Sequence, residues 1–308
     1  MLSAGYQQAV QLLLRLVPMV FASDAFALKG GTAINLYMSA VPRLSVDLDL
    51  VFLPLGLVRD EALAAIGAEL DDLRERASAA GLSVRTARQV AGDDRQLLVS
   101  DGETEVKVEV NQVFRGSVLP PRIVSLHPAA EEMFATDVAA RLLAPAEVYA
   151  GKAVAALDRQ HPRDLFDVWM RNQSSGFSTE DLDVFAVYLA GHNRPPHEVL
   201  AGRDKPLAGL YETALIGMAT GAIPSIEALE ETRERLRREV RERMSPEARQ
   251  FLISFFALDP DWTVLPFADL PRLPALMWKQ RNLGTFKVRR PHEFARQNSA
   301  LSDLLGDS

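Results

Sequence analysis

The first readable period along the chain lies in residues 6–18. Val10, Leu13, Leu14 and Val17 recur there at helical spacing and predict an opening helix. Phe26-Ala27-Leu28-Lys29 then leads into Gly30-Gly31-Thr32, and Ala33–Met38 reads as the first turns of another helix, with Ile34 and Tyr37 facing inward. Pro42 halts any continuation. Over residues 45–52 the period drops to two: Val46, Leu48, Leu50 and Phe52 fall on one face of a strand, Asp47 and Asp49 on the other. Residues 60–80 carry the Leu/Ala spacing of a long amphipathic helix ended by Gly81, and a strand is expected over 82–87. Residues 96–100 and Glu105–Asn111 read as two more strands joined at Asp101-Gly102. This mixture predicts an α+β or α/β core over residues 1–125; local periodicity does not separate the two classes, because strand order decides between them.

Beyond His127-Pro128 the pattern is mainly helical through residue 308. Pro145 opens a helix that contains Lys152, His161-Pro162 breaks it, and residues 163–170 and 181–189 are further helices. Residues 227–243 alternate acids and bases densely and are expected as a solvated helix held by charge pairs; contact of its Arg233–Glu239 run with RNA is the alternative. The Pro-rich stretch 265–274 turns repeatedly before Trp278, whose ring is expected in a core or docking role.

Composition narrows the chemistry. The 308 residues carry a formal charge of −7 and 48% hydrophobic residues, ordinary for a soluble protein and without a general nucleic-acid footprint, although a local basic patch would still serve RNA. The absence of Cys excludes disulfides, thiolate catalysis and Cys-ligated zinc, and a cytoplasmic setting is expected. No signal peptide is read at the N-terminus, and the apolar run 12–21, interrupted by Arg15 and Pro18, is too short to span a bilayer; no membrane partner is expected.

The candidate chemistry centres on Asp47 and Asp49. Two anions one residue apart on one strand face call for a compensating cation, and their hard oxygens suit Mg2+ or Mn2+. Ahead of them, with fourteen residues between Thr32 and Asp47, Gly30 and Gly31 permit close backbone approach, while Thr32 offers a hydroxyl and an N–H to phosphate. Lys29, Arg43 and Ser45 are phosphate-side candidates with equally plain structural readings. In Glu105–Asn111 the valines face the core, leaving Lys107 to neutralise phosphate and Glu109 to complete a metal shell or act as a base; a solvent-facing strand predicts the same alternation. Lys152, Arg159, Asp164 and Asp167 form a further set, read either as catalytic groups or as a buried ionic lock between helices. Spacing does not choose between Asp164 and Asp167.

Together these elements resemble the nucleotidyltransferase family that includes the AbiEii/AbiGii and MenT toxins. The resemblance runs through Leu28-Lys29-Gly30-Gly31-Thr32, Arg43-Leu44-Ser45-Val46-Asp47-Leu48-Asp49, Lys107-Val108-Glu109-Val110-Asn111, Lys152, Arg163-Asp164-Leu165-Phe166-Asp167 and the stretch from Pro274 to Leu283. It implies an α+β, DNA-polymerase-β-like core with a mixed sheet over 1–125 and a mainly helical region over 126–308 that completes the active site. It further implies metal ligation by Asp47 and Asp49, phosphate-side roles for Gly31 and Thr32, and catalytic candidacy for Lys152 and Asp164 or Asp167. The implied reaction uses Mg2+ and moves a nucleoside monophosphate from an NTP to an acceptor hydroxyl, with a tRNA 3′ end as acceptor and a separately encoded antitoxin as partner. The other readings are a small-metabolite or antibiotic nucleotidyltransferase and an inactive RNA- or partner-binding protein.

Overall fold

The structure, a computed structural model, describes residues 4–88 and 95–306. The chain forms two compact units: Met1–Ala144 with Ile216–Ile223, and Pro145–Leu215 with Pro224–Ser308.

The first unit is built on strands β1 (Phe26–Lys29), β2 (Asp47–Phe52), β3 (Ser83–Arg88), β4 (Arg95–Ser100), β5 (Glu105–Asn111), β6 (Arg122–Ser125) and β7 (Ala139–Leu142), in the order β3-β4-β5-β2-β1-β7-β6. The sheet is mixed. β2 runs parallel to β5 and antiparallel to β1, and β1 is parallel to β7. A parallel β2–β5 pair needs a long crossover, which the Arg59–Ala79 helix and the β3–β4 hairpin supply. The period-two pattern is realised: Leu48, Leu50, Val106, Val108 and Val110 are fully buried, while Asp47, Asp49, Lys107 and Glu109 are half-exposed. The opening helix, Ala4–Val20, buries Val10, Leu13 and Val17 as its spacing predicts and packs on the Arg59–Ala79 helix and the sheet. This is the mixed α+β core with an appended helical region expected of a DNA-polymerase-β-like nucleotidyltransferase.

Several details depart from the sequence pattern. The β4–β5 connection spans four residues, 101–104, because the Asp101 carboxylate accepts from the backbone N–H groups of both Glu103 and Thr104 and closes a wider turn. The first unit extends to Ala144, past the boundary expected at residue 125, because β6 and β7 join the sheet edge. Residues 216–223 also return to the first unit. The Leu44 N–H donates to the Met218 carbonyl at 2.7 Å and the Thr220 N–H to the Pro42 carbonyl at 3.0 Å, so that Arg43 and Ala219 pair as an isolated antiparallel bridge.

In the second unit, the helix Pro145–Asp158 packs against the helices Pro162–Ser174 and Thr179–Ala190. The charge-dense helix, Ile226–Glu242, is not simply solvated. Leu229, Leu236 and Val240 form a buried stripe, and Arg233 and Arg237 are buried beside them, paired with Asp204. No helix among the described residues is long and apolar enough to cross a membrane.

Leu50 is fully buried at the middle of the central strand. Leu50→Ala is therefore expected to cost about 2–5 kcal/mol, read as a lowered urea midpoint at unchanged slope.

Candidate functional site

Lys29 is the last residue of β1 and pairs across the ladder with Asp49. The chain then turns through Gly30, whose φ of +72° is the left-handed region that glycine tolerates. Space makes the same demand. A Cβ on Gly30 would lie 2.6 Å from Asp49 Oδ2, and one on Gly31 would lie 2.8 Å from both Arg43 Nη2 and Ser45 Oγ. Thr32 completes the set, its hydroxyl donating to the Asp47 carbonyl at 2.6 Å. Residues 30–32 thus each meet part of the 43–49 segment.

That segment is held in turn. Arg43 is buried and donates through Nη1 to the Leu44 carbonyl at 3.0 Å. Val41 takes a φ of +54°, a strained value for a β-branched residue, and its carbonyl accepts from the Thr220 hydroxyl. Arg43 Nη2 and Ser45 Oγ thus sit against the glycine turn. Likewise the Thr32 hydroxyl proton is committed to the backbone of β2.

On β5, in register, Lys107 sits opposite Asp47 and Glu109 opposite Asp49. Lys107 Nζ and Glu109 Oε2 are 2.5 Å apart, and Gln96 Nε2 donates to the same oxygen at 2.9 Å. Burial alone would lower the Lys107 pKa, but its hydrogen bond to Glu109 and the negative fields of Asp47, Glu109 and Asp49 outweigh it and hold the ammonium above the usual lysine value. One half-exposed sheet face therefore carries three carboxylates and a firmly protonated amine.

This donor set fits a divalent cation in a specific way. Among the described residues no group of three His, Cys, Asp or Glu is arranged to hold a metal. Mg2+ sites commonly take only one or two carboxylates and complete their shell with substrate phosphates and water, and the Asp47–Asp49 pair matches that count. Glu109 is engaged by Lys107 and Gln96.

In the helical unit, Lys152 Nζ lies 2.9 Å from Asp164 Oδ1 and 3.1 Å from Asp167 Oδ2. The three side chains are 7%, 1% and 0% exposed. Arg159 adds a second cation on Asp164, bonding it through both Nε and Nη2. Burial alone would raise the Asp164 pKa; Lys152 and Arg159 outweigh it and hold the carboxyl well below the usual carboxylate range. Helix ends bring these groups together. His161 Nδ1 caps the Pro162–Ser174 helix by accepting from the Arg163 N–H at 3.2 Å. Burial and the neighbouring Arg163 lower the His161 pKa, consistent with a neutral acceptor nitrogen. Asp164 and Asp167 then face the helix that carries Lys152. The geometry is that of a buried ionic lock.

Sequence reasoning missed the groups around this lock. Arg171 stacks 4.4 Å over the Tyr149 ring and pairs with Asp181 at 2.8 Å, and the Tyr188 hydroxyl donates to the buried Glu147 at 3.1 Å. Glu147, the third residue of its helix, reads as an ordinary dipole-complementing acid, so nothing local signals its burial.

Removing one partner of a buried ion pair strands the others, so Lys152→Met is expected to cost about 3–5 kcal/mol, measured by urea unfolding at neutral pH. Asp164 has a folded pKa below its unfolded value, so its contribution is present above the unfolded pKa and is lost as pH falls through the folded one. The stability deficit of Asp164→Asn should accordingly be largest at pH 7 and shrink below about pH 4; a deficit independent of pH would contradict the charged lock.

Comparison with known proteins bears on the whole arrangement. The family described as "Nucleotidyl transferase AbiEii toxin, Type IV TA system" matches residues 11–279. Among solved structures, the nucleotidyltransferase toxin MenT4 of Mycobacterium tuberculosis H37Rv superposes with a TM-score of 0.57 at 16% identity, covering 97% of this chain and 94% of that one. At that identity the likeness speaks to the fold. No curated protein sequence matches the chain. The family match takes in the glycine turn, both aspartates, β5 and the Lys152 cluster, and by it the chain belongs to the AbiEii nucleotidyltransferase toxin family.

Proposed function

We propose that this protein transfers a nucleoside monophosphate from an NTP to an acceptor hydroxyl, with the 3′ end of a tRNA as the acceptor, and that it does so as the toxin of a pair with a separately encoded antitoxin. The observation that carries this reading is the glycine turn pressed against Asp49, beside a sheet face that holds Asp47, Asp49, Lys107 and Glu109. Family membership supports the reaction class, and the MenT4 fold supports the choice of a toxin.

Asp47 and Asp49 are the residues that would hold Mg2+ or Mn2+, which when bound neutralises phosphate charge and eases loss of the acceptor hydroxyl's proton. The residues' own tasks follow from their positions. Gly30 and Gly31 let the triphosphate approach the backbone closely. With the Thr32 hydroxyl engaged by Asp47, the phosphate role proposed for Thr32 falls to its backbone N–H. Lys107, kept protonated, offsets charge on the phosphates, and Lys29 at the end of β1 adds a second cation on the same ladder position as Asp49. Glu109 receives the acceptor hydroxyl's proton while the acceptor oxygen bonds to the α-phosphorus. The bond from that phosphorus to the bridging oxygen breaks and pyrophosphate leaves. Lys152 and Asp164 or Asp167 keep catalytic candidacy on the family resemblance alone; Arg43 and Ser45 enter as supports of the turn.

Purified protein incubated with each α-labelled NTP, Mg2+ and total RNA should place label in an RNA band. Loss of one metal-holding carboxylate forfeits several kcal/mol of charge stabilisation, so Asp47→Ala should slow labelling by roughly 10^3-fold; unchanged labelling would remove the metal role. Gly30→Ala places a methyl group against the Asp49 carboxylate, and a displacement of that kind should lower the rate by about 10^2-fold with the sheet's circular dichroism intact. Label appearing in a small molecule would favour the metabolite-modifying reading, and no NTP turnover at all would favour a binding protein.

A further inference from the structure

The helix Pro274–Arg289 and the first three turns of Pro291–Gly306 are unlike the rest of this acidic chain. Residues 274–302 hold six Lys or Arg (Lys279, Arg281, Lys287, Arg289, Arg290 and Arg296) against one acid, Glu293, a net charge of +5 in a protein whose total is −7. Most of this stretch lies beyond the residues that the family match covers.

Most of these cations reach the surface. Lys279 is drawn inward, donating to the His192 and Asn193 carbonyls at 2.7 and 3.0 Å, and Lys287 Nζ lies 5.4 Å over the Phe294 ring. Arg281, Lys287, Arg289, Arg290 and Arg296 are exposed. Glu293 pairs only with Arg290 and Arg296, and among the described residues no carboxylate pairs with Arg281, Lys287 or Arg289. Lys287 and Arg289 in the last helical turn also complement the helix dipole, but Arg281 stands mid-helix, where the dipole gives no reason for it. In the Ile226–Glu242 helix, by contrast, Arg233 and Arg237 are buried against Asp204 and Glu234, and the exposed Arg235 pairs with Glu239. Helical spacing aligns Arg281 and Arg289 with Met277, Trp278 and Val288, which are 48%, 45% and 83% exposed. A row of cations beside an exposed indole is the combination that grips a phosphate backbone while giving a base a ring to stack on.

We propose that this exposed face of the Pro274–Arg289 helix, with Arg290 and Arg296 beyond it, binds the phosphate backbone of the acceptor RNA. The assignment rests on the reading of RNA as acceptor, and it names where that acceptor is gripped. The charge favours a polyanion, and the regular spacing of phosphates suits cations distributed along a helix with no interspersed acid.

The test is fluorescence anisotropy with a labelled RNA hairpin that carries a single-stranded 3′ end, using the full chain. Arg281→Ala/Arg289→Ala/Arg290→Ala should weaken binding at least tenfold at low salt. Because each lost phosphate contact removes about 0.7–0.9 from the slope of log K against log salt, the slope should flatten by about 2. Arg281→Lys/Arg289→Lys should retain the wild-type slope, which separates charge from folding. Trp278→Ala should weaken binding without changing the slope. Wild-type protein that does not bind the hairpin, a triple variant with unchanged affinity and slope, or polyglutamate bound as tightly as RNA through the same residues would each overturn the proposal, the last in favour of an acidic protein partner. Asp47→Ala keeps the two readings apart. Binding through this face without any nucleotide transfer would leave the docking surface standing and the transferase reading fallen. Transfer to RNA with binding and KM unaffected in the triple variant would do the reverse.

Discussion

Two absent Cβ atoms define this protein's candidate site. Gly30 and Gly31 bring the end of β1 against Asp49, Arg43 and Ser45 more closely than any side chain would allow, and the Thr32 hydroxyl fastens the same turn to the backbone of β2. The Asp49 carboxylate of β2 therefore lies against a turn that leaves no room for a side chain at residue 30. Arg43 and Ser45 lie against the turn, Val41 bears strain at the connection, and residues 216–223 return to brace it. A site built this way keeps Asp47 and Asp49 half-exposed on the sheet face that they share with Lys107, whose ammonium feels both charges.

The helical unit handles charge in the opposite manner. Lys152, Asp164 and Asp167 are withdrawn from water and satisfied by one another, with Arg159 closing the last side. Burial penalises each ion, and only mutual pairing makes the arrangement tolerable. That ties two helices together and makes Asp164 strongly acidic. The same unit's C-terminal helices display their cations outward, so within one unit buried pairs and an open basic face serve different ends.

Much of the sheet's inner architecture was legible along the chain. The switch to period two at Val46–Phe52 and the valine alternation of β5 separated buried from chemical faces before any coordinates, and a Gly–Gly–Thr turn ahead of an Asp-x-Asp strand pointed to the same few residues. Pairing was less legible. The parallel match of β2 with β5 and the return of Met218 and Thr220 to residues 42–44 join positions far apart in sequence, and such contacts leave no local signature. The four-residue strands β6 and β7 are too short to show a period, so the sheet was expected to end early. For Arg233 and Arg237 the acid–base alternation masked a real apolar stripe at Leu229, Leu236 and Val240. The role of the Thr32 hydroxyl was also out of reach, since the residue type suits phosphate and backbone equally well.

The central claim is that Asp47 and Asp49, held by the glycine turn, grip a nucleotide through a divalent ion. Calorimetric titration with a non-hydrolysable NTP analogue, with and without Mn2+, tests it without relying on turnover or on the identity of the acceptor. The account predicts metal-dependent nucleotide binding that weakens at least tenfold, about 1.4 kcal/mol, in Asp47→Asn/Asp49→Asn protein of unchanged melting temperature. Equal affinity in wild type and variant, or binding indifferent to the metal, would contradict it.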